Sequence, residues 1–299
     1  MEMSVMRIFA LELDNDIQGV AQRKAYIESL IATLDRPDLV ALPELALCRY
    51  IGNDSLWEFA DENSQDASTW AMRIASKYDT YVAVGYVEKT EGDIYNSYLI
   101  ADASKVYGIV RKSEGESYIV KRGDFPNIIT TPFGEVAVGI CYDARRRSFY
   151  ENIKDHTISL IIFPHGSPSD PHKKKAERDT NDFFCNAYAH AFKVPVCYIN
   201  SVGDMGFMLG QTGKMMANAG FRLNGLSKIY CSGGTRLETN IPEAIGMDVA
   251  LIPHKRTKDI KFYGDDIQRG NFLFRQLVLK PDIKKGIRFY ERKKDSYFL

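Results

Sequence analysis

The chain has 299 residues, of which 45% are hydrophobic and 26% charged, ordinary values for a folded protein with a sizeable core. A formal net charge of zero gives no electrostatic footprint for nucleic acid. No apolar run reaches the roughly 20 residues of a membrane-crossing helix, and the N-terminus lacks the apolar segment of a secretory signal, so the expectation is a cytoplasmic protein that engages neither nucleic acid nor membrane. Five cysteines, at 48, 141, 185, 197 and 231, show no paired spacing and read as reduced thiols. The five histidines form no i, i+4 metal pair, and there is neither a phosphate-binding glycine loop nor a dinucleotide fingerprint, so no metal and no cofactor is expected.

In chain order, Met6 to Leu13 reads as a first strand, and Ile17 to Leu34 carries apolar residues at helical spacing. Asp38 to Leu42 is a second strand that runs into Pro43 and Glu44, a carboxylate just past a buried strand. Asp66 to Tyr78 is a helix with Trp70, Ile74 and Tyr78 on one side. Strands follow at Tyr81 to Glu88, at Asn96 to Ala101 after a Gly92-Asp93 turn, and at Val106 to Val110, which leads through Arg111 to Lys112. Ser113 to Asn127 is a polar loop holding Glu114 and Glu116.

A Pro-Phe-Gly turn then opens the apolar run Val136 to Ile140, which ends on Cys141, followed by Tyr142, Asp143 and the arginines 145, 146 and 147. A short helix over Ser148 to Asp155 precedes a nearly continuous apolar strand, Thr157 to Pro164, and a loop, His165 to Pro171. A long helix spans Lys173 to Phe192, and Pro195 to Asn200 is a strand ending on asparagine. The Gly/Met-rich segment from Asp204 to Gly220 reads as strand ends and loops lining a pocket. Two late strands, Leu226 to Cys231 and Glu243 to Ile252, point to a mixed sheet in one α/β domain. The basic, aromatic stretch 255–299 reads as an extension that packs on the core or on a partner subunit.

Glu44, Lys112 and Cys141 thus each follow an apolar strand, where an α/β sheet presents its chemistry. Each alone has a plain structural explanation: a helix-start carboxylate, a solvated lysine, an inert buried thiol. Together they are chemically coherent. A thiol attacks a carbonyl carbon, a carboxylate moves its proton, and an ammonium stabilises the oxyanion.

The stretches DLVALPELALCRY, GDIYNSYLIAD leading to IVRK, TPFGEVAVGICYDAR and VPVCYINSVG resemble, in order, the motifs of the nitrilase superfamily of carbon-nitrogen hydrolases over roughly Met6 to Leu251. The resemblance implies a four-layer α-β-β-α sandwich with mixed sheets, a hydrolase domain over 1–254, and assembly as a homodimer or larger homo-oligomer. It implies a Glu-Lys-Cys triad at Glu44, Lys112 and Cys141, with Glu116 as a second glutamate and Glu114 as its alternative. Tyr142, Arg145 and Asn200 fall at substrate-binding positions, and the expected substrate is a small-molecule amide or N-carbamoyl compound, with a true nitrile less favoured. A catalytically silent ligand-binding relative and an amine acyltransferase are the alternative readings. The sequence departs from the family after Cys-Tyr-Asp, where Arg145-Arg146-Arg147-Ser148 replaces the usual Arg-Phe-Pro-Glu, and before Asn200, where the usual Arg-Ala-x-Glu-Asn reads Tyr188 to Phe192. One of the three arginines is therefore a candidate to bind a substrate carboxylate.

Overall fold

The computed structural model describes residues 5–124 and 126–297; the remaining positions of the predicted N-terminus, loop and tail lie outside the described residues. Two sheets stack face to face. The first runs, edge to edge, through Thr235–Leu237, Ala244–Ala250, Val5–Leu11, Leu39–Ala41, Tyr81–Thr90, Asp93–Ala101 and Val106–Arg111. The second runs through Lys228–Tyr230, Val196–Asn200, Thr157–His165, Gly134–Val138 and Ile128–Thr131. Both are mixed: parallel pairing at their centres, antiparallel at their flanks.

Strand alternation makes the layers. Ile8, Ala10, Ala83, Tyr98 and Ile100 face inward and meet Val136, Val138, Leu160, Ile162 and Ile199 of the second sheet. Their neighbours Phe9, Leu11, Val82, Val84 and Leu99 face outward against the helices Val20–Ile31 and Gln65–Tyr78. On the far side, Ile161 and Phe163 pack on the helices Arg147–Ile153 and Lys174–Phe192 through Phe149, Phe184, Tyr188 and Phe192. Strands covered on both faces need no polar alternation, hence the unbroken apolar run before His165. The expected four-layer α-β-β-α arrangement is what forms.

Three local expectations need correction. The hairpin turn is Glu91-Gly92, both with positive φ, so Asp93 is not a turn residue but opens the strand and is buried. The cysteine strand closes at Val138, and Cys141 lies three residues beyond it, at the start of a 3-10 turn over Cys141–Arg145. The segment from Asp204 contains a helix, Gly210–Asn218.

In the tail, the helix Lys280–Tyr297 lies on this same chain. Its buried Tyr290 accepts a hydrogen bond from the Ile94 backbone N–H at 2.9 Å, donates to Asp93 at 3.0 Å, and meets Trp57 edge-on. Asp282 accepts from the N–H groups of Gln211 and Thr212 and from the Tyr118 hydroxyl, so it caps the Gly210–Asn218 helix and holds the loop after Lys112. Among the described residues no helix is long and apolar enough to cross a membrane.

Candidate active site

The two sheets bring their strand ends together at one edge. Glu44 follows Leu39–Ala41 after Pro43, in a turn whose next residue, Leu45, has φ of 51°. The turn rests against Gly85, where a Cβ would press into the Pro43 carbonyl and the Leu45 N–H. Glu44 is 1% exposed: Oε1 accepts from Lys112 Nζ at 2.6 Å and Asn96 Nδ2 at 2.7 Å, Oε2 from the Gly166 N–H at 2.7 Å. Burial raises its pKa, the neighbouring Glu116 adds to this, and Lys112 opposes it.

Lys112 sits one residue past Val106–Arg111, its N–H on the Asn96 carbonyl at 2.8 Å. The ammonium is 1% exposed and bridges two carboxylates, Glu44 and, at 2.7 Å, Glu116. Burial works against that charge, yet Glu116 and Glu44 hold its pKa well above the ordinary lysine value. Glu116 also accepts from the Tyr50 hydroxyl at 3.2 Å. Glu114, two residues earlier, points elsewhere and pairs with Arg146 and Arg122, both at 3.2 Å. Of the two loop glutamates, Glu116 is therefore the one on the lysine.

Cys141 faces this group with φ of 52°, a left-handed conformation that is costly for a non-glycine residue. As a residue it is half-buried, but protein atoms crowd its sulfur. Burial pushes the thiol pKa well up, Glu44 and Glu116 add to this, and Lys112 and the Gly166 N–H act the other way. Two residues on, buried Asp143 accepts from the N–H groups of Ser113 and Glu114 at 3.0 and 2.7 Å, pinning the loop after Lys112 to the cysteine turn. Burial pushes its carboxyl up to about 7.

The remaining predicted residues are less uniform. The Tyr142 hydroxyl donates to Asp266 at 3.3 Å and lies near Arg146. Arg146 is taken by Glu114 and Arg147 by the Gly264 carbonyl, while Arg145 reaches Asp266 at 3.3 Å. Each arginine of the triplet has a protein partner among the described residues, while the buried Arg145 Nε has none. Asn200 is buried and its amide serves backbone: Oδ1 accepts from Ser167 and Ser201, and Nδ2 donates to the Ser167 and Gly225 carbonyls. It braces the loop holding Gly166 and does not present its amide to a substrate. His165, stacked on Phe184 and tilted against Tyr198, has its pKa driven by burial to about 3 and stays neutral.

Sequence reasoning missed Asn96, Tyr50, Asp143 and Gly166. Asn96, Tyr50 and Asp143 stand inside quoted motifs, but nothing local says that their side chains turn inward. Gly166 is the most testable. A Cβ there would run into the Tyr50 ring and lie 3.0 Å from Glu44 Oε2. We expect Gly166→Ala to displace Glu44, to lower stability by about 1–3 kcal/mol as overpacking does, and to reduce turnover more than Gly233→Ala, where a Cβ meets open space. Equal unfolding midpoints and rates for the two variants would refute the close approach.

The sequence model of the carbon-nitrogen hydrolase family matches residues 15–262. The chain belongs to this family. Among solved structures of the family, a carbon-nitrogen hydrolase from Helicobacter pylori G27 superposes with a TM-score of 0.67 at 16% identity, covering 83% of this chain and 90% of that one. An amidase from Nesterenkonia sp. superposes at 0.65 with 14% identity, over 84% and 92%. Curated relatives include a probable nitrilase of Schizosaccharomyces pombe, 27% identical over 150 residues, and the omega-amidase of Xenopus tropicalis, 25% identical over 142 residues. These alignments cover 47% and 42% of this chain, and the chain spans about half the length of the relatives, 54% and 50%. The four-layer sandwich is the fold that these solved structures share with this chain.

Proposed function

We propose that this carbon-nitrogen hydrolase cleaves a small-molecule amide or N-carbamoyl substrate through a thioester on Cys141. The observation that carries the reading is the buried Lys112 ammonium clamped between Glu44 and Glu116 beside the Cys141 turn. Because burial keeps the thiol protonated, attack needs a base, and Glu44, itself raised in pKa, suits both taking and returning a proton. Sγ attacks the carbonyl carbon as its proton passes to Glu44. The oxyanion is stabilised by Lys112 Nζ and the Tyr142 N–H. The C–N bond breaks as Glu44 protonates the leaving nitrogen. Water then adds to the thioester, its proton passing to Glu44 with Glu116 orienting the exchange, and the acid leaves as Sγ regains a proton.

Ammonia release across a panel of amides, ureides and nitriles, with the acyl-enzyme mass on the Cys141 peptide, tests this. Turnover of amides or ureides with that adduct is expected. Turnover with no adduct at Cys141 would overturn the thioester route.

The assembly is proposed to be a homodimer, with exposed Phe272, Leu273 and Leu277 of the tail contributing to a subunit contact. Light scattering at micromolar concentration is expected to give a mass near twice the 33.9 kDa chain; the single-chain mass would refute it.

A further inference from the structure

The loop that follows Glu44 carries two side chains of the site. Glu44 stands at its start and accepts from Lys112; Tyr50 stands near its end and donates its hydroxyl to Glu116. Between them, Leu45 and Arg49 hold left-handed backbone, with φ of 51° and 73°. Such strain persists only where the surroundings over-determine the chain. Here the constraint comes from outside the site, from Asn15 and Arg23, both fully buried.

Arg23 lies in the first turn of the helix Val20–Ile31. Its Nε donates to the Ala46 carbonyl at 2.6 Å, and its Nη1 to the Asp14 and Ile17 carbonyls at 2.9 and 3.0 Å. Asn15 holds both backbone groups of Tyr50. Its Oδ1 accepts from the Tyr50 N–H at 2.7 Å, and its Nδ2 donates to the Tyr50 carbonyl at 3.2 Å and to the Asp204 carbonyl at 2.6 Å. Each grip falls next to a strained residue, on Ala46 after Leu45 and on Tyr50 after Arg49.

A buried cation is ordinarily paired with an anion. Arg23 makes no ion pair among the described residues: it serves carbonyls alone, and its Nη2 finds no partner. An apolar side chain would fill the same space without the desolvation, so packing does not explain the guanidinium. Its fork does, because it ties two separate loops together, which a point charge cannot do.

We propose that Arg23 and Asn15 are positioning residues for the Cys141 site: Arg23 sets Glu44 through Ala46, and Asn15 sets Glu116 through Tyr50. Their effect on turnover rests on the reading of Glu44 as the base.

The test uses the whole chain and two readouts. Iodoacetamide labelling of Cys141 across pH needs no substrate. Glu44 raises the thiol pKa, so Glu44→Gln should lower the labelling midpoint. Arg23→Lys keeps the charge but not the fork. It should move the midpoint the same way by letting Glu44 shift, and should add nothing in Glu44→Gln protein. A midpoint unmoved by Arg23→Lys, or moved equally in Glu44→Gln protein, would overturn the inference. In ammonia release from an amide, Arg23→Lys should lower kcat by about 10- to 100-fold with KM little changed, the scale on which a small misplacement acts. An unchanged kcat would also overturn it. If no amide releases ammonia, hydrolysis alone fails, and the labelling midpoints still decide. Where Arg23→Lys does not fold, Asn15→Ser takes its place. Glu116 also raises the Cys141 pKa, so this variant should lower the midpoint in wild type and add nothing in Tyr50→Phe protein; an equal shift in both, or none in either, would refute the positioning role.

Discussion

Cys141→Ala is expected to lower turnover by at least about a thousandfold, the scale on which loss of a nucleophile acts, while the chain stays folded. The side chain lost is small and the left-handed backbone is no worse for alanine than for cysteine. Far-UV circular dichroism and the unfolding midpoint should therefore stay close to wild type. Thiol labelling provides the companion measurement. Cys48, Cys185 and Cys197 are buried, and burial pushes the first and last up to about 12, so they should react slowly. Cys231 is half-buried against the Met247 sulfur at 3.1 Å and serves as the internal comparison. Cys141 shares the raised pKa, but its residue is only half-buried and Glu44 stands by to take its proton, so iodoacetamide should modify it in a manner blocked by a substrate amide. Near-wild-type turnover by the alanine variant would dispose of the thiol mechanism.

Lys112→Met should cost stability as well as activity. It leaves Glu44 and Glu116 facing one another without the cation between them, and breaking a buried pair from one side typically costs about 3–5 kcal/mol. The loss should depend on pH with a definite sign. Glu44 already has a folded pKa above its unfolded value, so the folded state holds extra proton and its stability declines as pH rises past the ordinary carboxylate range. Without Lys112 opposing the shift, that rise is larger. The gap between wild type and variant should thus narrow as pH falls from 7 toward the unfolded carboxylate value. Denaturant unfolding at several pH values reads this directly. A pH-independent difference below about 1 kcal/mol would mean that the ammonium is not held between the carboxylates.

How much could be read beforehand follows from where each signal resides. The central strands were legible because burial on both faces writes continuous apolar runs; Glu44 was legible as the first polar residue after one of them and Lys112 as the second, behind Arg111, after another. The backbone of Cys141 was not: a run ending at Ile140 looks like one strand, while the left-handed turn beyond Val138 depends on packing against the partner sheet. Choosing Glu116 over Glu114 was out of reach too, since two carboxylates two residues apart in a loop differ only in what the folded loop turns them toward. The helix Gly210–Asn218 was missed for a related reason. Gly210 has φ of 89°, and Gly213 is small because the Met208 backbone presses on it, so both glycines reflect tertiary crowding. Its capping carboxylate, Asp282, comes from about seventy residues away, where no local pattern can show it.

That long reach orders events during synthesis. Glu116 hangs from the Ser113–Asn127 loop, and two residues on, Tyr118 is tethered to Asp282 while Ser117 and Tyr118 close over Gly286. A ribosome delivers Lys280–Tyr297 after every other element of the site. Until then the Cys141 turn and the strand ends can assemble, but the second carboxylate on Lys112 has no wall behind it. A nascent chain would complete the support behind Glu116 only after the helix Lys280–Tyr297 docks, so the assembly of this loop waits on an element synthesised long after Glu44.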